Sequence, residues 1–568
     1  MPPACDGIQV NFCKKPGCPN FGVPASETGR SKDGYKITSG GANYRLLYCR
    51  HCHESPPLKS NLGVAEELKR LSSRLEPLPA SSCPNHKCTN HGVSILEHPE
   101  AYQGFGKTAS GSRRLRCKQC RRTFAVGGPT TRQRAPHKNR IIFKLLVNKT
   151  PIKRICEVAE VHPQTVYDKL HFLYRQACAF AGSRERELSG MAIDRLDVSV
   201  DRQDYLVNWA RRADKRNVRL SAVGSADNRT GYVFGMHLNF DASLDPTAIE
   251  NEALRLHDYD RPYAFRQFAR VWLAGDYEES MKRARRTGAT STGHLPDDIE
   301  AAYAESGAKE DVEAVEQTEG SIRLPAQGMQ VHGEYTLYAH FLLLERLFQK
   351  VGKVRFFLDQ DSGMRAACLS AFHREIRGRR ADAFYVRIAR EQTVDEKRNL
   401  LNASRERFRS AQARHPKLAE RELRLALIRG QMASMAEHGR WKDKWLIHPF
   451  PDMSEPEKAV CYLTDLGDYD PDHLAALYDR ASLHGIDRFF MQVRRRLSLL
   501  ERPIATASKA RRTWYGYAPY NPEVAVKLLE LFRVHYNYLQ PGKDGKSPAE
   551  RLGLAKGKVR MEDVIYFS

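Results

Sequence analysis

Cys13-Lys-Lys-Pro-Gly-Cys18-Pro-Asn-Phe-Gly-Val23 and Cys83-Pro-Asn-His-Lys-Cys88-Thr-Asn-His-Gly-Val93 open two stretches with the same C-x4-C spacing, and each closes on C-x2-C, at Cys49 and Cys52 and at Cys117 and Cys120. Cys83 and Cys88 stand 70 residues after Cys13 and Cys18, and the words that follow match, so the pattern is an internal duplication. Four thiolates at such spacing form two knuckles that can close a tetrahedron around Zn2+, and a small loop-rich segment needs that ion to fold. Two zinc ribbons are expected, each with one structural ion. The competing reading is disulfides. The chain begins MPPACDGIQVNFCKK, without the apolar core of a signal peptide, and has no apolar run long enough to span a membrane, so reduced cysteines are expected. His51, His53, His86 and His91 lie inside the units and could replace a thiolate, but a complete four-cysteine set leaves them exposed or behind the ligands. Cys5, Cys156, Cys178, Cys368 and Cys461 read as small buried apolar residues.

The chain has 568 residues, room for several domains, and a formal net charge of +23, which points to a polyanionic partner. The excess is concentrated. From Lys107 to Lys149 there are 13 Lys and Arg and no Asp or Glu, a run suited to tracking phosphates, with Arg113, Arg114, Arg116, Lys118, Arg121 and Arg122 on the second ribbon. Beyond it, Ile141, Ile142, Leu145 and Leu146 have helical spacing, Ile155, Val158 and Ala159 mark a second short helix, and Pro163 opens a third running to about Tyr174. This pattern predicts a helix-turn-helix. Gln164, Thr165 and Lys169, with Tyr167 and Asp168, fall on or near the outward side of the third helix, where such side chains reach base edges or phosphates. A plain three-helix packing unit is the alternative.

Ribbon, basic run and helix-turn-helix in this order resemble the DNA-binding part of bacterial insertion-sequence transposases, down to Leu115-Arg-Cys-Lys-Gln-Cys-Arg-Arg-Thr-Phe124 at the ribbon's close. The resemblance covers roughly residues 80 to 180, and the extra amino-terminal ribbon departs from the simplest members. It implies recognition of transposon ends in double-stranded DNA, a homo-oligomer assembled on that DNA, a cytoplasmic, nucleoid-associated setting without membrane contact, and a following ribonuclease H-like nuclease domain with three acidic residues.

The remaining sequence offers them. The alternating run RLDVSVDRQDYLVNW from Arg195, then VRLSAVGSADNRTGYVFGMHLNF from Val218, read as a three-strand meander. In the family a carboxylate on the first strand binds catalytic metal; Asp201 is the choice and Asp197 the reserve. Val354-Arg-Phe-Phe-Leu runs into Asp359-Gln-Asp361-Ser-Gly363-Met and then a helix, where the family places its second acid. Asp359 and Asp361 share a strand face if extended, and Asp359 is ranked slightly ahead. The third acid lies on a basic helix in the family. His484-Gly-Ile-Asp487-Arg-Phe-Phe-Met-Gln-Val-Arg-Arg-Arg496 fits in part, with Asp487 replacing the usual glutamate, Arg494, Arg495 and Arg496 able to meet DNA, and Glu501 as fallback. Three carboxylates suit two Mg2+ or Mn2+ ions roughly 3.5 to 4 Å apart. The closing segment, with Trp514 to Tyr517, Tyr520 and Gly545 to Leu554, is also similar to the ends of such catalytic regions, and its aromatic residues are expected to pack under the fold, stacking on unpaired bases near a cleaved end being the alternative.

The expected fold is therefore α+β and multidomain: zinc ribbon 1 over 1–60, a linker helix over 61–80, zinc ribbon 2 over 81–130, the helix-turn-helix over 131–185, a ribonuclease H-like α/β nuclease domain over 186–520, and a C-terminal helix and tail over 521–568. Insertions interrupt the nuclease domain at 242–335 and 391–455. The first holds Asp297 to Glu319, with nine acidic residues against Lys309 alone, and reads as a mobile acidic loop. The second reads as a helical subdomain broken near Pro416 and followed by Trp441 and Trp445. The function expected is metal-dependent cutting and joining of DNA as a transposase. A catalytically dead DNA-binding regulator descended from one, and a structural nucleic-acid scaffold, are the alternatives.

Overall fold

Short apolar alternations around the cysteines build the first strands. β1 (Tyr35–Ser39) pairs antiparallel with β2 (Arg45–Cys49), and β3 (Tyr102–Lys107), β4 (Arg113–Cys117) and β5 (Thr123–Val126) form a separate three-stranded antiparallel sheet. The computed structural model describes the chain except residues 27–33, 41–42, 77–80, 96, 109–112, 127–128, 131–132, 209–215, 285–294, 309–322, 390–391, 440, 502–516 and 568. The described protein is α+β and divides into two units: Met1–Leu71, Ser189–Arg494 and Leu500–Val526 in one, and Ser72–Leu188, Arg495–Leu499 and Lys527–Ser568 in the other.

The first unit is built on a mixed eight-stranded sheet. The alternating runs form β6 (Arg195–Val207), β7 (Val218–Asp227) and β8 (Val233–Leu238), an antiparallel meander whose second turn closes on Gly231 at φ 76°. After the small ladder of β9 (Phe240–Asp241) with β10 (Met329–Gln330) come β11 (Lys353–Asp359), β12 (Ala381–Ile388), β13 (Ala436–His438), β14 (Asp443–Ile447) and β15 (Lys458–Tyr462). The sheet order is β13-β14-β15-β12-β11-β6-β7-β8, with β11 parallel to both β6 and β12. Parallel neighbours need a crossover, which the Ser362–Ala371 and His373–Arg377 helices supply between β11 and β12. Being central, β11 is buried on both faces from Val354 to Leu358, which is why it is apolar there except for Arg355, whose buried guanidinium faces Asp197 and Asp382. Phe356 faces Phe341 and Phe372, whereas Phe357 joins Phe384, Val460, Leu477 and Tyr478 in the core on the opposite side.

Three expectations are corrected here. The 391–455 insertion is helical only at Val394–Arg414 and Glu420–Met432; its later part forms β13 and β14, which with β15 extend the main sheet. Those strands are too short to show a period, and burial of Trp445 and Leu446 fixes them. The acidic segment is not a loop over its described part: Leu295–Ala308 is a helix, with Leu295 and Ile299 buried and the Tyr303 hydroxyl donating to Asp443 at 2.6 Å. Residues 309–319 lie outside the described residues. Finally, ribbon 1 does not stand alone. Lys14 Nζ donates to Ser370 Oγ at 2.6 Å, the Phe12 and His373 rings lie 5.0 Å apart, and Arg377 donates to the Pro19 carbonyl, so the ribbon is seated on the crossover helices of the sheet.

The second unit holds ribbon 2 and three helices, Asn139–Leu146, Ile152–Ala159 and Pro163–Glu185, whose shared core is Ile142, Phe143, Leu146, Ile155, Ala159, Val166, Leu170 and Leu173. The third helix runs eleven residues beyond the expected Tyr174, because Ala177, Phe180 and Ala181 continue its buried stripe. Its far end packs against the chain's C-terminal segment: Phe180 meets Tyr538 and Phe567 edge-on, and Glu185 accepts from Arg533 and Arg74. Residues after 527 therefore complete this helical unit and are not a trailing tail.

Candidate metal centres and acidic strand ends

In each ribbon the cysteine pairs come from a knuckle and from the end of a strand, so backbone pairing brings four sulfurs together. In the first, Cys13 Sγ lies 3.3 Å from Cys52 Sγ and Cys18 Sγ 3.7 Å from Cys49 Sγ; in the second, the corresponding separations are 3.4 Å for Cys83 and Cys120 and 3.8 Å for Cys88 and Cys117. A Zn–S bond of about 2.3 Å requires sulfurs about 3.8 Å apart at tetrahedral corners, so both sets fit the ion. Among the described residues these two sets are the groups of three or more Cys, His, Asp or Glu whose ligand atoms lie within 4.8 Å of one another. The sulfurs share protons unevenly: Cys13 is raised by its hydrogen bond to Cys52 and by burial, and Cys18, Cys83 and Cys88 are raised by burial, while others are lowered. A hydrogen bond from the Cys13 thiol brings Cys52 down to about 5, and against the cost of burial the Cys120 backbone N–H and the Asn90 side chain bring Cys117 down to about 6.

The duplication extends to residues that spacing did not single out. Tyr35 OH accepts from Cys13 N and donates to the carbonyls of Asn20 and Val23; Tyr102 OH does the same with Cys83 N, Asn90 and Val93. Asn20 and Asn90 each donate to the strand-end sulfur, Cys49 or Cys117, at 3.4 Å. These outer partners orient the ligands. The histidines sit outside the ligand sets, His53 on Tyr48 and His86 on His91.

The acidic residues are positioned by sheet register. Ser199 of β6 is paired with Phe357 of β11, and Val200 with Leu358. Asp201 and Asp359 come next on these neighbouring parallel strands, each two residues beyond the Ser199–Phe357 pair and so on its face. The His484–Arg496 helix covers that face. Ile486 N donates to Ser199 Oγ at 3.0 Å, and Ile486 and Phe490 pack where Gly224, the β7 partner of Asp201, has no side chain. Asp487 follows Ile486 and is half-buried. The structure thus brings Asp201, Asp359 and the element bearing Asp487 to one sheet face, although their carboxylates do not converge within 4.8 Å as the cysteines do.

The other acids go elsewhere. Asp361 caps the Ser362–Ala371 helix through Met364 N and pairs with Arg202. Asp197 lies near the start of β6, buried between Arg195 and Arg355, and Glu501 lies beyond the His484–Arg496 helix.

Among the basic candidates, Arg113, Lys118, Arg121, Arg122 and Arg495 are exposed, and Arg114, Arg116, Arg494 and Arg496 are half-exposed. Gln164 is exposed and Thr165 half-exposed at the start of the third helix, Gln164 donating to Asp168. Lys169 is corrected: it is buried, with Nζ on the Arg134 carbonyl at 2.5 Å, because its stem lies inside the stripe between Val166 and Leu170 and its ammonium serves a backbone acceptor. Tyr517 and Tyr520 are also corrected, being more than half exposed and not packed under the fold, while 514–516 lie outside the described residues. No described helix is long and apolar enough to cross a membrane. No protein-family model matches the sequence, and no curated protein matches it significantly.

Proposed function

We propose that the protein is a DNA transposase with a ribonuclease H-like nuclease domain, binding transposon-end DNA and cutting and joining strands at Asp201, Asp359 and Asp487. The observation that carries this reading is the parallel register of β6 and β11, which sets Asp201 and Asp359 side by side under the helix bearing Asp487. The resemblance of residues 80 to 180 to insertion-sequence transposases and the net charge of +23 support DNA as the substrate. In this reading zinc holds both ribbons, and several copies of the chain assemble on the DNA.

Two Mg2+ or Mn2+ ions held by the carboxylates would activate water or a 3′-hydroxyl and stabilise the leaving oxygen during in-line displacement at phosphorus. Asp201, midway along β6, and Asp359, at the end of β11, contribute charges fixed by the sheet, and Asp487 approaches from a helix whose later turns carry Arg494 to Arg496. The shorter reach of aspartate at 487, where the family has glutamate, favours a second reading, a regulator that kept the fold and the DNA site but lost the chemistry.

The test is Mg2+- or Mn2+-dependent nicking and joining of DNA carrying the sequences that flank the gene. Products that vanish in Asp201→Ala, Asp359→Ala and Asp487→Ala but persist in Asp361→Ala support the transposase. Tight, sequence-specific binding without products in either metal supports the regulator.

A further inference from the structure

The two ribbons share a zinc shell but not an outer face. Counting from the matched tyrosine and the closing cysteine pair, Thr38, Leu46 and Tyr48 of ribbon 1 correspond to Phe105, Arg114 and Arg116 of ribbon 2. Leu46 is buried where ribbon 2 carries the half-exposed Arg114, and neither Thr38 nor Tyr48 supplies a cation. In ribbon 2 the Phe105 ring is 44 % exposed, with the guanidiniums of Arg114 and Arg116 at 5.4 and 5.7 Å from its centroid. Arg113, Lys118, Arg121 and Arg122 are exposed elsewhere on the same ribbon, and no acidic residue occurs between Lys107 and Lys149.

An exposed phenylalanine gains nothing from water, and an exposed cation–π contact stabilises by only about 0.5–1 kcal/mol. The core of the ribbon does not need it either. Tyr102, Leu115 and Phe124 fill the opposite side of the sheet around the metal ligands. An aromatic ring bracketed by guanidiniums on a basic, acid-free strand surface is suited to a nucleobase, whose flat face can lie on the ring while the cations meet the adjoining phosphates. An interior base pair has both faces covered by its neighbours, and a terminal pair exposes only its outer face with its phosphates fixed in the duplex, whereas an unpaired nucleotide can lay its base on the ring while its phosphate meets the guanidiniums.

We propose that the outer face of β3–β4–β5 is a binding site for unpaired nucleotides at a DNA end, with Phe105 as the stacking platform and Arg114 and Arg116 as phosphate clamps. The proposal rests on the DNA-binding reading above and adds to it the chemical form of DNA that ribbon 2 takes. It also assigns the two copies different work: ribbon 1 is seated on the sheet, and ribbon 2 takes DNA.

The experiment uses the full zinc-loaded chain and two hairpin DNAs of the gene-flanking sequence, one blunt and one with a short unpaired tail containing 2-aminopurine. Wild type is expected to bind the tailed DNA more tightly and to quench the 2-aminopurine. Phe105→Ala, which removes an exposed ring and leaves the cysteines and Tyr102 intact, should abolish the quenching. It should weaken tailed binding by about 5- to 150-fold, the equivalent of about 1–3 kcal/mol for one stacked base, and leave blunt binding within about twofold. Phe105→Trp should restore both signals. Equal losses on the two DNAs, or undiminished quenching in Phe105→Ala, overturn the stacking site while leaving DNA binding in place. Wild type that binds neither DNA removes the functional reading itself and the site with it.

Discussion

Asp361 is ion-paired with Arg202 of β6. Its second oxygen accepts from Met364 N at 2.9 Å, so the carboxylate is occupied in capping the Ser362–Ala371 helix and tying it to β6. Asp359 and Asp361, which sequence alone could barely rank, thereby acquire different tasks.

Asp361→Ala is accordingly expected to lower stability by about 1–2 kcal/mol, chiefly through loss of the cap, and Asp361→Asn to recover most of it because asparagine caps equally well. Asp359→Ala should leave the melting temperature nearly unchanged and eliminate metal-dependent cutting. Thermal melting and nicking measured on the same preparations separate the roles. Cutting lost in Asp361→Asn at full stability would reverse the assignment.

The matched tyrosines of the ribbons predict a graded metal phenotype. Tyr102→Phe strips the Cys83 N–H and the Asn90 and Val93 carbonyls of their shared partner, and outer-shell losses of this kind reduce metal affinity by about 10- to 100-fold. The chain should carry two zinc ions, and in Tyr102→Phe one should pass to a colorimetric chelator much faster than the other. Tyr35→Phe should speed release of the other ion instead. Unchanged release from both variants would show that the tyrosines merely pack.

How much of this was legible in the sequence differs by element. The cysteine sets were readable because metal ligands must recur at fixed spacing, and the β6–β7–β8 meander because apolar and polar residues alternate along β6 and a turn sequence closing on Gly231 separates β7 from β8, although both faces are largely buried. Strands β13 to β15 were not, since three- to five-residue pieces carry no period and their sheet membership depends on pairing with β12, far away in sequence. Lys169 misled because a helical wheel assigns a face by residue type, and a lysine whose amine caps a backbone carbonyl can lie within the buried stripe. Tyr35, Tyr102 and Phe105 were missed for want of one comparison, the alignment of the two ribbons beyond their cysteines.

Gly224 is one of the contacts through which the sheet holds the Asp487 helix, beside the Ser199 hydrogen bond to Ile486. A Cβ built there would lie 2.6 Å from Ile486 Cδ1 and 2.9 Å from the Phe490 ring. Gly224→Val should therefore cost about 1–3 kcal/mol by overpacking and displace the helix from Asp201, reducing cutting more than DNA binding. Ile486→Val in the same chain should restore part of the activity by making room. Wild-type cutting in Gly224→Val would show that the Asp487 helix is not needed at this distance from the strand.

The second unit depends on a buried charge cluster. Arg533 is fully buried, donates to Glu185 at 2.5 Å and holds Glu530 at 2.6 Å, while Arg74 reaches the other oxygen of Glu185 at 2.6 Å. Removing Arg533 leaves two buried carboxylates, Glu185 and Glu530, sharing Arg74 alone, and breaking such a set costs about 3–5 kcal/mol. Arg533→Ala should release the C-terminal segment to limited proteolysis and weaken DNA binding through loss of the three-helix unit. Replacing Arg533 and Glu185 together by Met and Leu should be much less damaging than Arg533→Ala alone. An additive outcome would argue against coupling.

Acid should loosen the sheet's outer strands through His448, just past the end of β14. Burial holds its imidazole neutral, well below the ordinary histidine range, with the Lys458 and Arg424 cations acting in the same direction, and its Nδ1 accepts from Phe450 N at 3.2 Å. Asp479, 3.9 Å from Nε2, opposes this but does not reverse it. The unfolded chain takes up this proton near pH 6.5 and the folded one only at lower pH, so the stability contribution is complete above about 6.5 and declines as pH falls below it. His448→Gln should be less stable than wild type at pH 7.5 through poorer packing, yet lose less on going to pH 5. Urea unfolding followed at both pH values gives the comparison, in which the carboxylate contributions common to both chains cancel. Parallel declines would mean that another group carries the acid sensitivity of this sheet.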